Sequence, residues 1–335
     1  MENFRQLIDL AGERLGGQAL AANDEFFAGK ENLLKPGRGI FIAGKYTSRG
    51  KWMDGWETRR RRDSGHDWCL IRLGLRGILR GTVIDTNYFI GNHPESFSLE
   101  ACDAPGAKSP DLIKNKVPWT EILTQRALLG GSENLFEILD SRPWTHVRLN
   151  IFPDGGVARL RLHGIVVPDF TKLRSKSLDL AAVENGGLVL GASDMHFGGK
   201  DNLIMPGRSV NMGDGWETKR RRGQGHDWCI VRLGEPGLIE KIEVDTTHFK
   251  GNYPESCRLE ACLGEREATL ETLSDSNERG GAASWQEIVP RSKLGPDRCH
   301  RFSISQPRPA THVRLSIFPD GGIARLRLYG RLAQV

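Results

Sequence analysis

Each half of the chain presents a glutamate and, nine residues later, a histidine beside an aspartate: Glu57 with His66 and Asp67, and Glu217 with His226 and Asp227. A carboxyl group and an imidazole are the usual pair for moving protons near neutral pH, so these six residues are the catalytic candidates. The stretch between them is basic, Arg59 to Arg62 in one half and Lys219 to Arg222 in the other. In an extended chain side chains alternate, which puts Glu57, Arg59 and Arg61 on one face and Thr58, Arg60 and Arg62 on the other. An Arg at 59 facing a Lys at 219 loses the bidentate fork in one half. Arg60, Arg62, Arg220 and Arg222, together with Arg148 and Arg314, are therefore the candidates to hold an anionic substrate. The plain alternative is a solvated strand edge blunted by charge. Asn92, Asn252 and His248 lie around Gly-Asn-x-Pro turns; turn chemistry alone accounts for an Asn there, and each can also accept or donate to a ligand.

The positioning elements follow from an internal duplication. Asp54 to Gly74 recurs as Asp214 to Gly234 with five differences in 21 positions, and Thr145 to Gly164 recurs as Thr311 to Gly330 with three in 20. Ile84 to Ser96 returns from Val244, in the same order. A period near 165 residues is far longer than that of solenoids and denotes a duplicated domain. Within each repeat, short alternating or apolar runs such as Cys69 to Leu73, Val147 to Ile151 and Ala158 to Leu162 are separated by Gly and Pro, which are strand signals. The PDGG segments at Pro153 and Pro319 read as hairpin turns. Val147, Leu149 and Ile151 then face the core, leaving His146, Arg148, Arg159 and Arg161, with His312, Arg314, Arg325 and Arg327, as a basic stripe. Trp68 and Trp228 read as core anchors.

The fold class is all-β, two tandem antiparallel sandwiches of jelly-roll or immunoglobulin type. The expected layout is a helical segment over 1–19, a first repeat over 20–165, a linker over 166–176 and a second repeat over 177–335. A short second helix is expected near Leu178 to Glu184. Repeat one carries ten extra residues between Gly39 and Met53, including Tyr46, Arg49, Lys51 and Trp52.

Composition narrows the classes. The net charge is +5 over 335 residues, too small an excess for an obligate polybasic binder, and the basic face lacks interleaved aromatics, which argues against nucleic acid. No membrane span and no secretory leader are expected. Six cysteines without a CxxC pair read as reduced, buried thiols of a cytoplasmic protein. The GxSxG, HExxH, GxxxxGK[ST] and helix-entering GxGxxG motifs are missing.

At DGWETRRRR, GHDWCLIRLG, IDTNYFIGN and VDTTHFKGNYPES the sequence resembles the allantoicases, purine-catabolic enzymes that convert allantoate and water to ureidoglycolate and urea. The resemblance spans roughly residues 20 to 332. It implies tandem jelly rolls of the galactose-binding-like type, allantoate as substrate, a cytosolic location and assembly into homo-oligomers. Allantoate is a carboxylate on a carbon bearing two ureido groups. Its binding calls for an arginine fork and for acceptors, which Glu57, Asp67 and Asn92 can provide. Loss of urea needs an acid and addition of water a base, roles suited to Glu57 or Glu217 and to His66 or His226. No cofactor is required by this scheme; a divalent metal activating water is the alternative, since His, Asp and Glu are also metal ligands. The competing class is a non-catalytic jelly roll binding small anions or carbohydrates.

The Gly39–Met53 excess is expected to act as a lid or subunit contact, because repeat two closes the same connection with Ser209 to Gly213 alone. Trimming it to that length should leave a folded chain whose light scattering or turnover changes; wild-type values for both would make it a tolerated surface loop.

Overall fold

The computed structural model describes residues 4–172, 177–274 and 284–333. The chain divides into two compact units, Met1–Val167 and Pro168–Val335, and each is an antiparallel sandwich. In the first, the 19-residue strand Asp67–Asp85 belongs to both sheets. Its first part, to Arg72, pairs with Gln18–Ala22 on one side and Pro143–Phe152 on the other; Ser96–Cys102 and Thr120–Ala127 complete that sheet. Its second part, from Gly77, pairs with Arg159–Val166 and Glu133–Glu137, and Ile8–Asp9 adds an edge. The second unit repeats the scheme around Asp227–Asp245. At the change of sheet, Gly77 lets strand backbone approach: a Cβ there would sit 2.5 Å from the Ile165 carbonyl oxygen. Eight strands in two antiparallel sheets make each unit a jelly roll.

Alternation builds the core. Phe97, Leu99, Val147, Leu149, Ile151, Leu160 and Leu162 are fully buried, each such side chain contributing about 1.5–3 kcal/mol by leaving water. The residues between them point to the opposite sheet face, where Leu70 and Cys102 pack under Leu112 of the short helix Ser109–Ile113, with Trp68 and Trp119 partly buried beside them. The fully buried tryptophans are Trp56 and Trp216, whose indole N–H groups donate to the Asp24 and Asp194 carbonyls at 2.8 Å. Trp68 and Trp228 are only half-buried.

Three expectations are corrected by the structure. No helix spans the described part of 1–19: Phe4–Gln6 and Glu13–Leu15 are single 3-10 turns, and Ile8–Asp9 is an edge strand of the first sandwich. The pairing with Arg159–Val166, reinforced by Asp9 accepting from the Leu162 N–H at 2.9 Å, overrides the helical pattern. Leu178–Asp179 is likewise a strand and Val183–Asn185 a 3-10 turn. Of the expected linker 166–176, residues 173–176 lie outside the described residues. PDGG is not a hairpin: Pro143–Phe152 pairs with Asp67–Asp85 mainly over Asp67 to Arg72 and Arg159–Val166 over Gly77 to Asp85, the two overlapping only at Gly77 and Ile78, and they do not pair with each other, so the turn carries the chain between sheets.

The basic stripe is not a surface stripe. His146 and His312 are buried, and so are Arg159 and Arg325. The Arg159 guanidinium meets the Asp54 carboxylate at 2.6 Å, and Arg325 meets Asp214 at 2.8 Å. Arg161 and Arg327 donate to the carbonyls of Gly37 and Gly207. Buried guanidiniums must be paired, and the 35–38 and 205–208 loops, folded over this face, supply the acceptors.

His312 illustrates the cost of that burial. Its Nδ1 lies 2.9 Å from the Thr311 hydroxyl, and burial, then the Arg232 charge, pushes its pKa down to about 4 from 6.5. A neutral imidazole stabilises the fold above 6.5, and that stability is lost as pH falls toward about 4. In His312→Asn the decline of the urea unfolding midpoint over this window should be shallower; an unchanged slope would assign the acid limb to other groups.

Candidate active site

The turn Pro153–Gly156 gathers the candidate residues of repeat one. The Asp154 carboxylate accepts the Arg61 N–H at 2.9 Å, and the Gly155 carbonyl accepts the Thr58 N–H at 3.1 Å. The Pro153 carbonyl accepts the Asp67 N–H at 3.2 Å, and the Gly156 N–H donates to the Asn92 carbonyl at 2.8 Å. Repeat two has the same bonds through Pro319, Asp320, Gly321 and Gly322. Because residues 58–62 wrap this turn, only Trp56–Glu57 is a strand, and the expected two-faced arginine strand does not form. Gly156 is required where it stands, since a Cβ would lie 2.0 Å from the Phe89 ring.

Glu57 is half-buried between Ala28 and Gly156. Its carboxylate accepts from the Asn92 side chain at 2.7 Å, and Glu217 accepts in the same way from Asn252. Burial raises the Glu57 pKa and outweighs that hydrogen bond, which favours a protonated acid ready to donate. His66 packs at a tilt against Phe152, ring centroids 4.7 Å apart, and His226 stacks on Phe318 at 4.6 Å. The His226 pKa is lowered by burial and then by Arg258, Arg314 and Arg221, which favours a neutral imidazole able to take a proton.

Asp67 and Asp227 are placed differently from their histidine neighbours. Both are almost fully buried. Asp67 accepts from Arg61 at 2.6 Å and from Asn23 at 2.8 Å; Asp227 accepts from Arg221 and from Ser193. Each carboxylate anchors the loop that follows Glu57 or Glu217, and the side-chain order His-out, Asp-in follows from strand alternation at the start of the long strand.

The substrate-binding candidates separate into three groups. Arg60, Arg62, Arg220 and Arg222 are exposed, and no ion pair or side-chain hydrogen bond holds them among the described residues. Arg148 is committed: its Nε donates to Glu100 at 2.8 Å, its Nη1 to Asn115 at 3.0 Å, and it lies over the Trp119 ring. Arg314 is held by Glu260 over Trp285. His66 and Arg148 do share a cleft of about 520 Å³ with Ser98, Glu100, Asn115 and Asn150. His248 stands apart from His226, in a cleft with Arg208, Asp245 and Tyr329, its Nε2 2.9 Å from the Ser209 carbonyl oxygen. Tyr88 and His248 occupy one left-handed backbone position, φ 70° and 73°.

Sequence reasoning passed over Glu100 and Glu260, although alternation along Phe97-Ser98-Leu99-Glu100 places them opposite Arg148 and Arg314 in register. No group of three or more His, Cys, Asp or Glu side chains converges in metal-ligating geometry among the described residues. Cys69, Cys102, Cys229, Cys257, Cys262 and Cys299 are all free thiols.

Two tandem jelly rolls, each with a glutamate, a histidine and exposed arginines arranged around one inter-sheet turn, define a duplicated β-sandwich protein. The Allantoicase repeat family matches residues 8–167 and 178–333, and the chain belongs to that family. A relative from Pseudomonas aeruginosa (strain LESB58), named probable allantoicase, is 50% identical over 333 residues, 98% of this chain and 97% of its own. The crystal structure of allantoicase from Saccharomyces cerevisiae is similar at a TM-score of 0.81 and 38% identity, over 96% of this chain and 92% of that one. A further allantoicase structure gives 0.82 and 39%, over 97% and 93%.

Because burial raises the Glu57 pKa, its protonated form stabilises the fold at low pH, and that contribution is lost as pH rises through the raised value. Glu57→Gln keeps an acceptor for Asn92 without the charge. It should melt at higher temperature than the parent at neutral pH, with the gap closing as pH falls to about 4. A gap independent of pH would mean that burial does not act on this carboxyl.

Proposed function

We propose that the chain hydrolyses allantoate to ureidoglycolate and urea, with Glu57 and Glu217 as acids and His66 and His226 as bases. Identity of 50% over nearly the whole length to a protein named probable allantoicase supports the reaction. The observation that carries the residue roles is the half-buried Glu57 carboxyl, fastened to Asn92 and raised by burial, beside the turn that also seats His66. In this reading the exposed Arg60 and Arg62, or Arg220 and Arg222, hold the substrate carboxylate. The glutamic acid gives its proton to the departing urea nitrogen as the C–N bond breaks. Water adds its oxygen to the same carbon and gives a proton to the histidine, which restores the glutamic acid through solvent. Asp67 and Asp227 position the loop through Arg61 and Arg221.

Self-association and a cytoplasmic location belong to the same reading. Phe26, Phe27, Ile40, Phe41, Ile42 and Tyr46 expose apolar surface around the Gly39–Met53 segment, which supports a subunit contact. Free thiols, five of the six buried, suit a reducing compartment. No described helix is long and apolar enough to cross a membrane.

Urea release from allantoate by the purified protein tests the reaction. Acid and base groups typically contribute about 10²- to 10⁴-fold, so Glu57→Gln, His66→Asn, Glu217→Gln and His226→Asn should each lower kcat at least about tenfold in whichever repeat is active. Near-wild-type kcat in all four, with circular dichroism unchanged, would return these residues to structural roles. Activity retained after chelation is expected; loss that returns with a divalent cation would assign water activation to a metal.

A further inference from the structure

The two repeats diverge on the sheet face beside His66 and His226. In repeat one this face carries Ser98, Glu100, Arg148 and Asn150, paired in register as Asn150 with Ser98 and Arg148 with Glu100, and Glu121 lies across from Glu100. At the matching positions repeat two has Arg258, Glu260, Arg314 and Ser316. The Glu260 carboxylate there meets two guanidiniums, Arg258 at 3.3 Å and Arg314 at 2.9 Å. In repeat one the long arginine is replaced by Ser98, and a cleft of about 520 Å³ opens between His66, Asn115, Glu121 and Asn150.

The cleft has more acceptors than donors. Two carboxylates line it, Glu100 and Glu121, against one guanidinium, Arg148, whose Nε and Nη1 already serve Glu100 and Asn115. The Asn150 amide donates to Ser98 and Glu100 at 3.2 and 3.0 Å. Its Oδ1 is buried without a partner, and the residue is 5% exposed. An orphaned buried acceptor costs about 1–3 kcal/mol and is normally answered by a ligand or ordered water. What is missing is a compact, planar group rich in N–H donors. A ureido group has that chemistry: N–H donors for Asn150 Oδ1 and Glu121, and one carbonyl for a donor such as His66 or Arg148.

We infer that the sheet-face cleft of repeat one is a ureido-binding subsite and that repeat two, with Arg258 in place of Ser98, is built for a different, more anionic occupant. This rests on the allantoate reading for the identity of the ligand, which would be either a ureido arm of the substrate or product urea. Residues 98 and 150 can be exchanged for their counterparts, because Arg and Ser stand at the same register in a sandwich of the same fold.

The test is calorimetric titration of the full-length protein with N-carbamoylglycine and with urea, using glycolate as a carboxylate lacking the ureido group. Wild type should bind N-carbamoylglycine, and Ser98→Arg and Asn150→Ser should each weaken it by about tenfold or more with unchanged melting temperature. Urea binding as tightly as N-carbamoylglycine assigns the subsite to the product; N-carbamoylglycine binding far more tightly than urea assigns it to the substrate arm. Absence of N-carbamoylglycine binding in wild type, equal affinity in both variants, or equal binding of glycolate overturns the inference. Urea release from allantoate is scored separately: a protein that binds the ureido probe but does not turn over allantoate keeps the subsite and loses the catalytic reading.

Discussion

A four-residue turn between the sheets holds Thr58, Arg61, Asp67 and Asn92 of repeat one, and their counterparts in repeat two, at one point. Pro153–Gly156 uses its backbone carbonyls and the Asp154 carboxylate to hold Thr58, Arg61 and Asp67, and its last N–H to hold Asn92. Three segments far apart in the chain therefore end at one point. The close approach is possible because Gly155 and Gly156 have no Cβ: one would come within 2.7 Å of Pro94 N at Gly155 and strike Phe89 at Gly156. Chain segments that arrive at the surface need their backbone groups satisfied, and here the turn satisfies them, so that the Glu57 carboxylate is held by the Asn92 side chain rather than by these backbone groups.

The arginines are sorted by the same requirement. A sandwich that buries guanidiniums must supply each with a carboxylate or carbonyls, because an unpaired buried charge is far more costly than a pair is stabilising. Arg159 takes Asp54, Arg61 takes Asp67, and Arg148 takes Glu100; the second repeat has the corresponding pairs. These pairs fix loops and strand faces. Arg60, Arg62, Arg220 and Arg222 remain at the surface, where an incoming carboxylate meets no competing internal partner.

Duplication preserved the turn and its attached loops while the neighbouring sheet face changed. The exchange of Ser98 and Asn150 for Arg258 and Ser316 moves side-chain volume from one strand to the next and alters the local charge from acceptor-rich to balanced. A strand pair tolerates this because opposed side chains act as pairs: in repeat one the short Ser98 leaves the cleft open, and in repeat two the longer Arg258 reaches Glu260.

The internal repeat, the all-β class and the inward face of Val147, Leu149 and Ile151 were legible in the residues, since repetition and period-two alternation are local properties of the chain. So was the place of Asn92 and Asn252 at Gly-Asn-x-Pro turns. Local pattern did not show that the N-terminal segment is an edge strand, because its partner, Arg159–Val166, lies some 150 residues away. Nor did it show that PDGG joins two sheets, because a hairpin and a crossover present the same turn residues. The paired states of Arg159, Asp67 and Arg148, and the open cleft beside Asn150, were decided by tertiary structure alone. Whether a polar side chain is solvated, buried in an ion pair or left facing a cavity depends on what the rest of the chain places against it.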